Sequence, residues 1–263
     1  MTSRRLITVV AALVCAACSV HHPAPRPAVT GAAGPKTVQQ LCDAQTWPRP
    51  VPNVVGRLLY QAKDGALECY QLKSVAPDGH DPLNHPARPA EKTYRIVAVS
   101  PATGTPVGRS DAVTVELAEV DPTEPPAFRP CDWVTATEAA GIMGGPVNAE
   151  PLGAEPGSVD VACIYDKPHD VGDGVEVDLQ TSGAFAVDAP SEFALATSIG
   201  PGTGTAVDGI GVKASCVNEL TTTPPSTTLV VLLSGERILR VTQGFGSCTN
   251  LKRLAQLAIG RIG

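Results

Sequence analysis

Apolar and polar positions alternate most regularly in the last third of the chain. Thr228 to Leu233 reads as a strand, Ser234-Gly235-Glu236 as a turn and Arg237 to Thr242 as the returning strand, which together predict a β-hairpin. Upstream, Val175, Val177 and Leu179 fall on one face of a strand, with Glu176 and Asp178 on the other. Val159 to Tyr165 and Val212 to Val217 read as further strands. The period then changes. Leu251, Leu254, Leu257, Ala258 and Ile262 form one stripe of a helix over residues 249–262, and Ser191 to Thr197 reads as a shorter one. Thr135 and Glu138 have capping-box spacing ahead of Ala139, Ala140, Ile142 and Met143, a helix that Gly144-Gly145-Pro146 ends. Antiparallel strands with helices on one face predict an α+β sandwich for residues 131–263.

The N-terminal half carries a second pattern. Pro52-Asn53 and then Gly56 bracket a short strand, and the run from Leu58 to Leu67 is a short amphipathic helix. Arg95 to Ser100 alternates into a strand, Ser100-Pro101-Ala102-Thr103-Gly104 is a turn, and Val113, Val115 and Leu117 share one face of a final strand. The order β, α, β, turn, β follows for residues 37–118. Proline-rich stretches flank it. Residues 18–36 have four prolines and no apolar period, as a disordered tether does, and residues 119–130 read as a linker between two domains.

At the start, Arg4 and Arg5 precede an apolar run from Leu6 to Ala17. A helix of that length spans about 18 Å, short of the roughly 30 Å of a bilayer core, so residues 1–17 read as a signal peptide. The run closes on Cys15-Ala16-Ala17-Cys18-Ser19, which resembles the bacterial lipobox. The resemblance implies that Cys18 takes the lipid, with palmitate among its acyl chains, and that the protein is anchored on the outer face of the plasma membrane, facing the cell wall.

Composition narrows the chemistry. Glycine and proline are plentiful at 25 each, and 10 aromatic residues are too few for a base-stacking surface. Loss of Arg4 and Arg5 takes the net charge from −6 to −8. Most of the excess lies in residues 131–263, where fifteen acids face seven Lys and Arg, so nucleic acid is excluded as a partner. With Cys15 lost and Cys18 lipidated, Cys42, Cys69, Cys131, Cys163, Cys216 and Cys248 remain. They fit an oxidising compartment, and six thiols allow fifteen pairings. If each domain closes its own bonds, Cys42 pairs with Cys69. The last four have three options, of which Cys131 with Cys163 and Cys216 with Cys248 is the choice in chain order.

The motifs Val51-Pro52-Asn53-Val54-Val55-Gly56, Ser100-Pro101-Ala102-Thr103-Gly104-Thr105-Pro106-Val107 and Val113-Thr114-Val115, in that order, resemble a PASTA domain over about residues 48–118. That module is found on penicillin-binding proteins and on the outer segments of bacterial Ser/Thr kinases. The resemblance implies binding of peptidoglycan fragments. Stem-peptide carboxylates make Arg95 and Arg109 the candidate ligand contacts. The second half, through Cys131-Asp132-Trp133-Val134-Thr135-Ala136-Thr137-Glu138-Ala139 and Cys163-Ile164-Tyr165, resembles an uncharacterised family of actinobacterial, largely mycobacterial, lipoprotein domains that implies no activity.

Catalytic and metal readings find little material. His169 is the lone histidine of the second half, and no G-x-S-x-G, S-x-x-K or H-E-x-x-H occurs. His21-His22, the set His80, Asp81 and His85, and the set Asp166, Asp170 and Asp173 lack metal-site spacing, so they read as tether, surface loop and solvated acidic turn. Residues 200–211 lack the Lys-Ser/Thr ending of a phosphate loop and read as a mobile loop. No cofactor and no catalytic residue is expected. The expectation is a non-catalytic, membrane-anchored envelope lipoprotein that binds peptidoglycan fragments or a cell-wall protein. The alternative is a partner or sensor subunit for a Ser/Thr kinase or penicillin-binding protein without a small ligand, and a hydrolase comes third.

Overall fold

A computed structural model describes residues 37–84, 94–121, 123–126, 128–168, 174–198, 204–219 and 225–263. Cys18, the signal and tether segments, His85, His169, Asp170 and Asp173 lie outside them. The chain is an α+β protein whose two lobes are each built on an antiparallel or mixed sheet.

The N-terminal lobe runs through α1 (Val38–Asp43), β1 (Arg49–Pro50), α2 (Leu59–Lys63), β2 (Gln71–Val75), β3 (Tyr94–Ser100), β4 (Pro106–Val107) and β5 (Ala112–Glu119). Its three-stranded sheet has the order β2-β5-β3, with β5 parallel to β2 and antiparallel to β3, and β1 pairs separately with β4. Val113, Val115 and Leu117 do share one face. They close on Val54, Leu59, Ala62, Leu67 and Ile96 in a core of their own. The strand β2 falls in a stretch with no apolar alternation, because only Ser74 of its five residues is buried.

The C-terminal lobe holds α3 (Ala136–Met143), β6 (Asn148–Leu152), β7 (Asp160–Asp166), β8 (Val175–Gln180), α4 (Ala189–Ser198), β9 (Thr205–Ala206), β10 (Lys213–Glu219), β11 (Ser226–Leu233), β12 (Arg237–Gly244) and α5 (Cys248–Ile262). Seven strands in the order β6-β7-β8-β12-β11-β10-β9 make one sheet, and every neighbouring pair is antiparallel. Tyr165, Val177, Leu179, Leu229, Leu239 and Val241 face α3 and α5 and meet Leu251, Leu254 and Ala258 there. The capping box forms as its spacing implies, and Arg261 at the end of α5 forks onto Glu138 with hydrogen bonds of 2.8 and 2.7 Å, tying the two helices together.

Helices occupy both faces of this sheet, unlike the one-sided arrangement expected. On the opposite face, Ala189 and Phe193 of α4 pack with Phe185 on Val230 and Ile238. Part of the glycine-rich run forms β9, which pairs with β10. The disulfides are Cys42–Cys69, Cys131–Cys163 and Cys216–Cys248, with Cα separations of 5.2, 5.0 and 6.0 Å, the pairing that closes bonds within each lobe. Among the described residues no helix is long and apolar enough to cross a membrane.

The lobes dock through backbone contacts, the Gln61 amide and Arg49, whose Nη2 donates to the Ala186 carbonyl at 3.5 Å. Gln61 on α2 donates from Nε2 to the Asp160 carbonyl at 2.8 Å and accepts at Oε1 from the Val159 N–H at 2.7 Å, so it caps the start of β7 as a neighbouring strand would. The Ala66 N–H donates to the Gly183 carbonyl at 3.2 Å. Two glycines permit the approach. A Cβ on Gly65 would stand 2.7 Å from the Ala184 carbonyl carbon, and one on Gly157, where φ is +88°, would stand 2.2 Å from the Gly56 carbonyl oxygen.

Candidate functional site: an acidic cleft between the lobes

Where the lobes meet, the uncovered part of the sheet faces α2 across a cleft of about 490 Å³. The alternation of β7, β8 and β12 puts three ranks of polar side chains on its floor. Register aligns Asp160 with Gln180, Ala162 with Asp178 and Arg240, and Ile164 with Glu176. Tyr60 and Gln61 of α2 and Asp64 at its C-cap line the opposite wall, with Glu68 beyond them. Glu155 and Glu192 complete the rim, which gives the lining seven carboxylic acids against one arginine.

Asp178 is the most buried of these acids, at 8% exposure, and its Oδ1 has no hydrogen-bond partner. Burial, and then the neighbouring Asp160, to which it is hydrogen-bonded, push its carboxyl well above the ordinary carboxylate range. Asp160 in turn accepts from Gln180 Nε2 at 3.0 Å. Gln180 Oε1 and Arg240 Nε are also buried without partners, while Arg240 donates from Nη2 to Glu192. Burial likewise raises Glu176, helped by Asp160, and Glu68, helped by Asp64. It pushes Tyr60 up to about 12, with Glu155 and Asp160 adding to it. The cleft is therefore a half-desolvated, anionic cavity that holds protons above their usual range and has unused hydrogen-bonding capacity on its floor.

No protein-family model, curated protein or solved structure matches the chain.

The residues singled out from sequence are arranged otherwise. Arg95 forks onto Glu124 through Nη1 at 3.1 Å and Nη2 at 2.8 Å, and Arg109 is paired with Asp43, so both guanidinium groups already hold a carboxylate of their own chain. Neither lines the cleft. Asp81 accepts from Ser74, from the Leu83 N–H at 3.0 Å and from Asn84 Nδ2 at 2.7 Å, which is a turn-capping role, and the ring of His80 pairs with Asp78. Among the described residues no group of three His, Cys, Asp or Glu side chains is placed to hold a metal ion. The alternation in the sequence puts Glu176 and Asp178 only on the second face of a strand and does not single out Tyr60, Gln61, Asp160, Gln180 and Arg240. The one available signal was an acidic alternation inside an acidic half.

Proposed function

We propose that this protein is a non-catalytic lipoprotein of the bacterial envelope, anchored through Cys18 at the outer face of the plasma membrane, that binds peptidoglycan fragments in the cleft between its PASTA-like N-terminal lobe and the seven-stranded sheet. The observation that carries the reading is the cleft itself, with both lobes lining it and an acid on its floor whose buried oxygen has no partner. Arg95 and Arg109 are engaged with Glu124 and Asp43, so the contact with wall material is assigned to the cleft and not to these arginines. A small, half-open cavity supports weak binding, toward the millimolar end of the affinity scale. A tethered population facing a polymer gains avidity without new contacts.

Chemical-shift titration of the full chain with a muropeptide tests this. The expected result is movement of the Gln61, Asp160 and Asp178 resonances at millimolar ligand, unchanged by Arg95→Ala and Arg109→Ala. Movement confined to the surroundings of Arg95 and Arg109 would return the site to the arginines. No movement at all would favour the subunit of a kinase or penicillin-binding protein.

A further inference from the structure

We propose that the floor of this cleft is a receptor for a primary ammonium group, carried by a small molecule or a peptide side chain and held by Asp160, Asp178 and the Gln180 carboxamide. The proposal rests on reading the cleft as a binding site and adds the chemistry of what enters it. An ammonium has three N–H donors and no acceptor, so it needs several acceptors and negative charge nearby. Asp178 Oδ1 and Gln180 Oε1 are acceptors buried without partners, and both belong to side chains hydrogen-bonded to Asp160. A buried acceptor left unpaired is costly, and a donor from outside removes that cost. The cavity's remaining charge has the same sign. Glu155 and Glu176 stand near, Asp64 and Glu68 lie across from the floor, and Arg240, the single cation, is held by Glu192. A ligand carrying only carboxylates would meet a net negative lining, seven acids against Arg240. A bare metal ion is a poorer match, because the described carboxylates are spread along the walls and no three converge.

Proton linkage follows from the same geometry. Asp178 faces Asp160 from β7, Glu176 on its own strand and Arg240 from β12, with Tyr60, Asp64 and Glu68 across the cleft and Glu155 and Glu192 at its rim. Its proton is held above the ordinary range, and the incoming cation displaces it. Ammonium binding therefore strengthens as pH rises.

The test titrates the full chain, disulfides intact, with 1,5-diaminopentane, and in parallel with pentanedioate, which has the same carbon count and opposite charge. The expected result is binding of the diamine alone, with shifts at Asp160, Asp178 and Gln180, and a tighter apparent Kd at about pH 8 than at about pH 5. Asp178→Asn, which keeps the shape and the hydrogen bond to Asp160, should weaken the diamine by about tenfold or more. Asp208→Asn, an exposed change in the loop after β9, at the far end of the sheet from β7 and not among the residues lining the cleft, should leave binding unaltered. Equal affinity in Asp178→Asn, preference for pentanedioate, or tighter binding of calcium chloride at matched ionic strength would each overturn the assignment. Muropeptide binding in the cleft without diamine binding would overturn this inference alone. Diamine binding without muropeptide binding would support it and remove only the wall-fragment reading.

Discussion

The two faces of the seven-stranded sheet are made by alternate residues of the same strands and are used for opposite ends. Toward α3 and α5, Val175, Val177 and Leu179 are at most 1% exposed and meet a helix stripe led by Leu251 and Leu254. On the reverse, Glu176, Asp178 and Gln180 form part of a cavity floor with acceptors unpartnered. The dry face supplies stability through apolar burial and disulfides. The wet face withholds it, since desolvating Asp178 without a full set of partners opposes folding. A half-covered polar face beside a fully packed apolar one is the arrangement expected of a scaffold that keeps one surface for binding.

Breaking the dry face should have the largest effect. Leu254→Ala removes a fully buried side chain between α5 and the sheet, and denaturant unfolding should show a loss of about 2–5 kcal/mol. The seam between the faces and the N-terminal lobe comes next. Gln61→Ala leaves the Val159 N–H and the Asp160 carbonyl without their partner, and should lower stability by about 1–3 kcal/mol while increasing hydrogen exchange at Val159. At the edge of the dry face, Thr135→Ala opens the α3 capping box and should cost about 1 kcal/mol by the same measurement.

The smallest expected effect is a pH dependence. Arg261, and then the backbone and hydroxyl of Thr135, hold the Glu138 carboxyl down at about 2 from an ordinary 4.5. A depressed folded-state pKa gives stability that is present above the ordinary value and lost as pH falls toward about 2. The group is exposed, so the contribution is screened. Acid titration of Glu138→Gln should flatten the unfolding curve between those values.

The dry face was legible in the sequence because its information is local. Alternation in Val175 to Leu179, the hairpin over residues 228–242, the Thr135–Glu138 spacing and the Leu251–Leu254 stripe each declare an element within a few residues. Closing each lobe on itself gave Cys42 with Cys69 but left three pairings for the other four cysteines, among which chain order picked the one that forms. By contrast, β6 has five exposed residues including Pro151 and forms the sheet's edge, so neither apolar period nor propensity announces it. The cleft was not legible for a different reason. Glu176 and Asp178 look solvated until α2 arrives, and the contact that brings it is a Gln61 amide reaching a backbone 98 and 99 residues away. Side-chain pairing with a distant backbone leaves no periodic mark.

The most direct test of the contrast is the unfolding free energy of the native chain and of Asp178→Asn, measured in denaturant across pH. The folded-state pKa of Asp178 is raised, so the protonated acid favours the fold. That stability is present in full below the ordinary value of 3.8 and declines as pH rises from there toward the raised one. Asparagine does not titrate and still donates to Asp160. The account predicts that Asp178→Asn is the more stable protein near neutral pH, by a margin that shrinks as pH is lowered. A variant less stable than the native chain at every pH would make Asp178 a structural acid and the wet face part of the protein's core.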